Sequence, residues 1–392
     1  MKRTPLLLSL LALTSCGGTS SASGLSVSQS ASGFSSASNT SSATSAPVEI
    51  TDAVGRKFNV VPGSYKRIVC IGAGALRLYT YIDGSENLAG VEDIDNESLS
   101  SRPKMFDGVA RPYMLAYGED FKKLPSCGVG GPNAQAAEAE KILSCNPDLI
   151  VSEYEDADKS NALSEQVGVP VLTLSMGNDE KMFASLRNLG KVLDKYDRAG
   201  DLISYYAMSL AEIAEKTEDV TEAEQKKTYI CGLGNWGTTD QYMTAQNYAP
   251  FEIAHIKNVV SGLAKDGIQK IDAEKFESLA PEMEVMIFDV AAIKNIKGKG
   301  YDFSSCRAFQ TGEVYLQMAY NAYYTNFETS LINTYYMAAI SYPSRFPDFS
   351  IAEKANEITE MFNGKQLYDA IKVKPQSFGG YQKVANPSEF FA

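Results

Sequence analysis

Histidine and tryptophan occur once each in this 392-residue sequence, as His255 and Trp236. A single histidine removes most routes to a Ser-His or Cys-His nucleophile, because any such pair would have to use His255. The six cysteines contain no CxxC, and past Cys16 they stand far apart at Cys70, Cys127, Cys145, Cys231 and Cys306. A Cys/His zinc site is therefore not expected. Five thiols leave at least one without an intramolecular partner, and Cys127 with Cys145, which flank one short segment, is the pair the sequence leaves open. A GxSxG nucleophile elbow is missing as well, which argues against a serine hydrolase. No apolar run approaches the roughly 20 residues needed for a helix to cross a bilayer. Positive charge is scarce: the formal net charge is -12, which speaks against a nucleic-acid or anionic-membrane surface.

Charge is wholly absent from Gly17 to Val48, where serine dominates. Such a stretch cannot bury enough apolar surface to offset chain entropy and is expected to be a flexible tether. Before it, Lys2 and Arg3 lead into the apolar run Leu6 to Leu13 and then small residues, the layout of a secretory signal. Leu13-Thr14-Ser15-Cys16 resembles the lipobox of bacterial lipoproteins. The resemblance implies diacylation of Cys16 and an extracytoplasmic chain held at the membrane by its lipid alone, with about 0.8 kcal/mol of anchoring per buried CH₂.

About 345 residues remain after the leader and tether, enough for two lobes of ordinary size. Lys66 to Gly72 reads as a strand entering a glycine turn, with a helix from Leu76. Leu88 to Val91 is a second strand, followed by the acidic loop Glu92 to Asn96. Residues 134–144 are predicted helical, 146–151 strand, 155–167 helix and 169–174 strand. Asp179 to Glu218 is nearly unbroken helical pattern, either one long helix or two abutting ones. Alternation resumes with strands at 227–231 and 285–289 and helices at 248–256 and 271–279; Gly312 to Met361 is predicted mainly helical. The fold class expected is α/β: two lobes with mostly parallel sheets joined by a long helix, and a helix-rich C-terminal part. The expected division is signal 1–16, tether 17–48, N-terminal lobe 49–177, connecting helical segment 178–220 and C-terminal lobe 221–392. A ligand would sit between the lobes, at the carboxyl ends of the strands.

Several phrases resemble the substrate-binding proteins of ABC importers for iron-siderophores, haem and cobalamin. They are Asp52-Ala-Val-Gly-Arg56, Arg67-Ile-Val-Cys-Ile-Gly72, Leu88-Ala-Gly-Val-Glu92, and Val129-Gly130 followed by Asn146-Pro-Asp-Leu-Ile-Val151. Ile271 to Glu282 running to Phe288-Asp289 is similar to the same unit in the second lobe. The resemblance covers about Ile50 to Ala370 and implies two α/β lobes joined by a rigid helix, no enzymatic chemistry and no cofactor. It also implies an ABC permease as partner, a monomeric chain, and a ligand such as an anionic metal chelate. A corrinoid, haem or an oxyanion stays open. Glu140 and Glu274 match the two family glutamates that dock on permease arginines, with Glu138 a near neighbour for the first role. The chain departs from the better-known pattern at Gly72-Ala-Gly-Ala-Leu-Arg77 and at Tyr320 to Glu328, so a cobalamin or haem pocket does not carry over.

An anionic chelate calls for fixed N–H donors, arginine forks and aromatic walls. Arg77 beside the Gly72–Gly74 turn is one candidate. Asn235 and Trp236 in Gly232-Leu-Gly-Asn-Trp-Gly-Thr-Thr239 are others, because a tryptophan between glycines is an odd core residue. Arg307, Arg111, Tyr113, Tyr154, Tyr323 and Tyr324 complete the set. Asp93, Asp95 and Glu97 are oxygen donors, but a solvated acidic loop is the default and no direct metal site is expected. Two other classes compete with capture for an importer. A surface hydrolytic enzyme would have to work through carboxylates, and an adhesive lipoprotein would show repeats or a flat face rather than two matched lobes.

Overall fold

The computed structural model describes residues 46–104, 108–131, 134, 136–234, 239–263 and 265–392. The signal, Cys16, nearly all of the tether, Asn235 and Trp236 lie outside the described residues. No helix among the described residues is long and apolar enough to cross a membrane.

The chain opens with an antiparallel hairpin, β1 (Val48–Thr51) and β2 (Lys57–Val60). Its turn explains the Asp52…Gly-Arg56 phrase. Asp52 accepts from the Arg56 backbone N–H at 2.9 Å and from its guanidinium at 2.6 Å, while Gly55 takes φ 81°. Arg56 also donates to the Val171 carbonyl, which fastens the hairpin to the body of the lobe.

β3 (Ile68–Ile71), α1 (Ala75–Asp83), β4 (Leu88–Glu92), α2 (Pro112–Phe121), β5 (Ser126–Gly128), α3 (Ala139–Ser144), β6 (Leu149–Ser152), α4 (Ala157–Val167) and β7 (Val171–Thr173) follow. The five strands form a parallel sheet in the order β5-β4-β3-β6-β7. Strand alternation splits the core. Ile68, Cys70, Leu149 and Val151 face one hydrophobic cluster, and Val69, Ile71 and Ile150 face another with Ile142 and Leu163. Asp148, in the Asn-Pro-Asp phrase, accepts from the Lys66 and Arg67 N–H groups and sets the amino end of β6 beside β3.

The long helical stretch is two helices, α5 (Asp179–Leu193) and α6 (Tyr196–Thr217), broken at Asp194 with φ 57°. They meet closely at Gly190, where an added Cβ would lie 2.7 Å from that of Ala199. Twenty-two residues of α6, about 33 Å at 1.5 Å per residue, carry the chain to the second sheet.

That half contains β8 (Thr228–Cys231), β9 (Met243–Ala245), α7 (Ala249–Ile253), β10 (Ile268–Lys270), α8 (Ala273–Leu279), β11 (Val285–Asp289), α9 (Val290–Ile296), α10 (Arg307–Thr311) and β12 (Val314–Gln317). It ends with α11 (Phe327–Ser341), α12 (Ile351–Asn363), α13 (Tyr368–Lys372), β13 (Gln382–Lys383) and α14 (Pro387–Phe391). β8, β11 and β12 are parallel, and β13 closes the edge antiparallel, in the order β13-β12-β11-β8. β9 and β10 pair separately.

Two expectations are corrected, and one pairing left open is decided. β12 lies inside a block predicted mainly helical, in which no strand was expected; its four residues are all buried in the sheet, a context that overrides local pattern in so short a run. The helix predicted over 134–144 is confined to Ala139–Ser144. The thiols of Cys127 and Cys145 are both free and buried, as are those of Cys70, Cys231 and Cys306. One hydrophobic core runs through both halves, including Leu76, Leu172, Leu202, Ile230, Leu316 and Leu331.

Candidate functional site

The parallel sheets place a buried carboxylate at the carboxyl end of a strand in each lobe. Glu92 ends β4 and Asp289 ends β11. A strap of residues 319–326, which leaves the carboxyl end of β12, reaches both. Its Tyr320 N–H donates to Asp289 at 2.8 Å, and its Tyr323 hydroxyl donates to Glu92 at 2.7 Å. Asp289 also accepts from the Ala291 N–H and the Gln317 amide, and Glu92 accepts from the Gly72 N–H. Burial is the main force on both, against these hydrogen bonds, and pushes each carboxyl up to about 7.

Arg77 clamps the same strap. Its guanidinium donates to the carbonyls of Ala322, Tyr323 and Thr325 at 2.7–3.1 Å, and the residue is fully buried. Asn326 adds a bond to the Ala110 carbonyl. So held, Tyr323 and Tyr324 sit at φ 53° and 76°, a left-handed pair that persists only where the surroundings dictate it. Gly74, at φ 91°, makes room: a Cβ there would strike Met176 and lie 3.3 Å from the Tyr324 Cβ.

Arg111 is buried too. It pairs with Asp95 at 2.6 Å, and the Tyr113 hydroxyl donates to the same carboxylate. Asp95 is thus an internal counter-ion and not part of a solvated loop, and Asp93, Asp95 and Glu97 form no metal cluster. No group of three His, Cys, Asp or Glu residues able to hold a metal occurs among the described residues. Arg307 lies elsewhere. It pairs at 3.3 Å with Glu284, which precedes β11, so it stands at the amino ends of the strands, opposite the interlobe side. Tyr154 is half-buried and lines a separate pocket of about 180 Å³ against α4. His255 is exposed, with its ring nitrogen 3.0 Å from the Thr217 hydroxyl.

The strap thus unites Arg77, Tyr323 and Tyr324 and leaves Arg307 and Tyr154 apart. Residues that sequence reasoning missed border the same place. Glu153 follows β6 half-buried with no partner among the described residues; burial first, then the charges of Glu155 and Glu92, push it up to about 8. Between the lobes a cavity of about 460 Å³ is walled by Met176 and Asp179 of the first, Tyr206 of α6, Ala249 of the second, and Tyr320 and Phe327 of the strap and α11. Only Glu92 and Asp289 carried a signal in the sequence, as acids closing buried strands.

Glu140 and Glu274 are exposed in the first turns of α3 and α8, one on each lobe, with no partner among the described residues. Glu138 accepts from the Val129 N–H at 2.6 Å and pairs with Lys141 at 3.0 Å, so it is engaged within its own lobe.

The sequence model of one family, described as periplasmic binding protein, matches residues 68–292, more than half of the chain. Among solved structures, the chain resembles a molybdate periplasmic binding protein of Haemophilus influenzae in its molybdate-bound form. That pair shares 16% identity at a TM-score of 0.61, covering 81% of this chain and 98% of the other. A periplasmic solute-binding protein of Veillonella parvula matches at 18% identity and a TM-score of 0.61, covering 83% and 95%. CeuE of Helicobacter pylori, in a complex with nickel and histidine, matches at 14% identity and a TM-score of 0.56, covering 83% and 98%. At these identities the likeness is one of fold. No curated protein matches the sequence.

Proposed function

Because the chain belongs to the periplasmic binding protein family, extracytoplasmic proteins that bind small solutes for an ABC permease and are not enzymes, we propose that it captures a metal chelate of the iron-siderophore class. The observation that carries this reading is the interlobe cavity of about 460 Å³. It lies where the carboxyl ends of two parallel sheets meet, and its size suits a small molecule. Aromatic walls at Tyr206, Tyr320 and Phe327 give such a ligand broad apolar contact.

Glu140 and Glu274 are the docking carboxylates in this reading, one per lobe, exposed and unengaged among the described residues. Cys16 is the lipid attachment point, and the serine-rich stretch is the leash that lets the lobes reach the permease.

Native mass spectrometry with elemental analysis of protein purified from its own host tests the ligand. One metal-bearing small molecule per chain is expected, and a metal-free ligand overturns the chelate assignment. Reversal of Glu140 and Glu274 together to Lys should abolish ATP-driven import while solution binding persists; unimpaired import would remove the docking roles. Cys16→Ala should release the protein from the membrane fraction.

A further inference from the structure

The same cavity bears on the charge of its ligand, given that the protein captures a chelate there. We infer that the captured chelate carries a positively charged arm, an ammonium group seated between the Asp179 carboxylate and the rings of Tyr206, Tyr320 and Phe327. The three arginines expected to meet an anion are all removed from the cavity, Arg307 by its pairing with Glu284 at the far strand ends. Arg77 holds three strap carbonyls and Arg111 holds Asp95. Among the described residues no lysine or arginine lines the cavity, whereas Asp179 and Glu180 both do; Lys181, beside the lining residue Gly177, is paired with Glu155 at 3.7 Å. The segment Gly232 to Thr239 contains no charged residue in its sequence, so it brings no cation to the second lobe.

Asp179 is accessible at the cavity wall, yet enough protein surrounds its carboxyl that burial raises it above the ordinary range, against the lowering bond from the Tyr206 hydroxyl at 3.3 Å. A carboxylate so placed gains from a neighbouring cation. Aromatic rings add attraction of their own through the negative face of the π-system. One effect opposes the assignment: α5 begins here, and a helix N-terminus carries about half a positive charge. Two full negative charges in its first turn, at Asp179 and Glu180, outweigh that half charge. An anion in this cavity would meet that like charge, and the flanking ammonium of Lys181 already pairs with Glu155 at 3.7 Å.

Three ferric chelates separate the possibilities in equilibrium dialysis with the full chain. They are a tris-hydroxamate with a free ammonium arm, the same chelate with that arm acetylated, and a tris-catecholate with three negative charges. The free-arm chelate should bind at least about tenfold tighter than its acetylated form, with the catecholate weakest, and Asp179→Asn should erase the difference. Equal affinity of the free and acetylated forms, or tightest binding of the catecholate, overturns the charge assignment and leaves chelate capture standing. Binding of none of the three overturns both. The acetylation comparison uses the unaltered protein, so it decides the matter however the variant folds.

Discussion

Glu92 and Asp289 occupy matching places, one at the carboxyl end of a central strand in each lobe, and burial raises both carboxyls to about 7. Their partners differ. Asp289 is satisfied mostly from its own lobe, by the Ala291 N–H and the Gln317 amide, with the Tyr320 N–H arriving at the start of the strap. Glu92 depends on Tyr323, which stands 231 residues away in the chain. The second lobe therefore completes its own strand end, while the first is completed by a segment of the other. A strap that fills one lobe and is rooted in the other couples the two, as the common hydrophobic core already does.

The most severe way to break this asymmetry is to remove the clamp. Arg77→Met strands two buried carbonyls and a partly buried one and takes away the positive charge that offsets the buried Glu328 carboxylate. A loss of about 3–5 kcal/mol in urea unfolding is expected. Asp289→Ala leaves two backbone N–H groups without an acceptor and the Gln317 amide with the Tyr248 hydroxyl alone, and about 2–4 kcal/mol should be lost. If the second lobe is self-completing, hydrogen exchange near Gly72 and Gly131 in the first should stay unchanged in that variant.

The third test is a pH profile. Folded Glu92 holds its proton up to about pH 7, while an unfolded glutamate releases it near 4.5. The folded state binds the extra proton between those values, so this stabilising contribution is complete below 4.5 and is lost as pH rises through 7. Glu92→Gln removes that share of the decline, and the fall in unfolding free energy between pH 5 and 8 should shrink by about 2–3 kcal/mol. Tyr323→Phe should have the smallest effect, about 1–2 kcal/mol. It deletes the hydroxyl that donates to Glu92 and accepts from the Gly131 N–H at 3.0 Å. Its signature is local: exchange at Gly131 should quicken with that near Asp289 unaltered.

Much of the scaffold was legible because it is written in local pattern. Arg67 to Gly72 and Asn146 to Val151 announce buried parallel strands by continuous apolar runs beside turn residues. Even the break between α5 and α6 lay within the two readings left open for Asp179 to Glu218. β12 was hidden because three apolar residues and a glutamine in a tyrosine-rich block do not distinguish strand from buried helix. The site was less legible than the scaffold. Arg77 and Arg111 look like anion receptors from their residue type, yet both are turned inward to groups far along the chain or buried beside them. Asp179 and Tyr206, which wall the cavity, looked like ordinary positions of an amphipathic helix.

By itself the sequence determined the α/β alternation, the paired sheets, the charge-free tether and the placement of Glu274 near a helix start. Those follow from periodicity and capping, which act over a few residues. Only the tertiary structure decided which charges face the cavity and which are neutralised within the protein. That choice depends on a strap from one lobe meeting the strand ends of the other, and no local pattern records a contact made across more than two hundred residues.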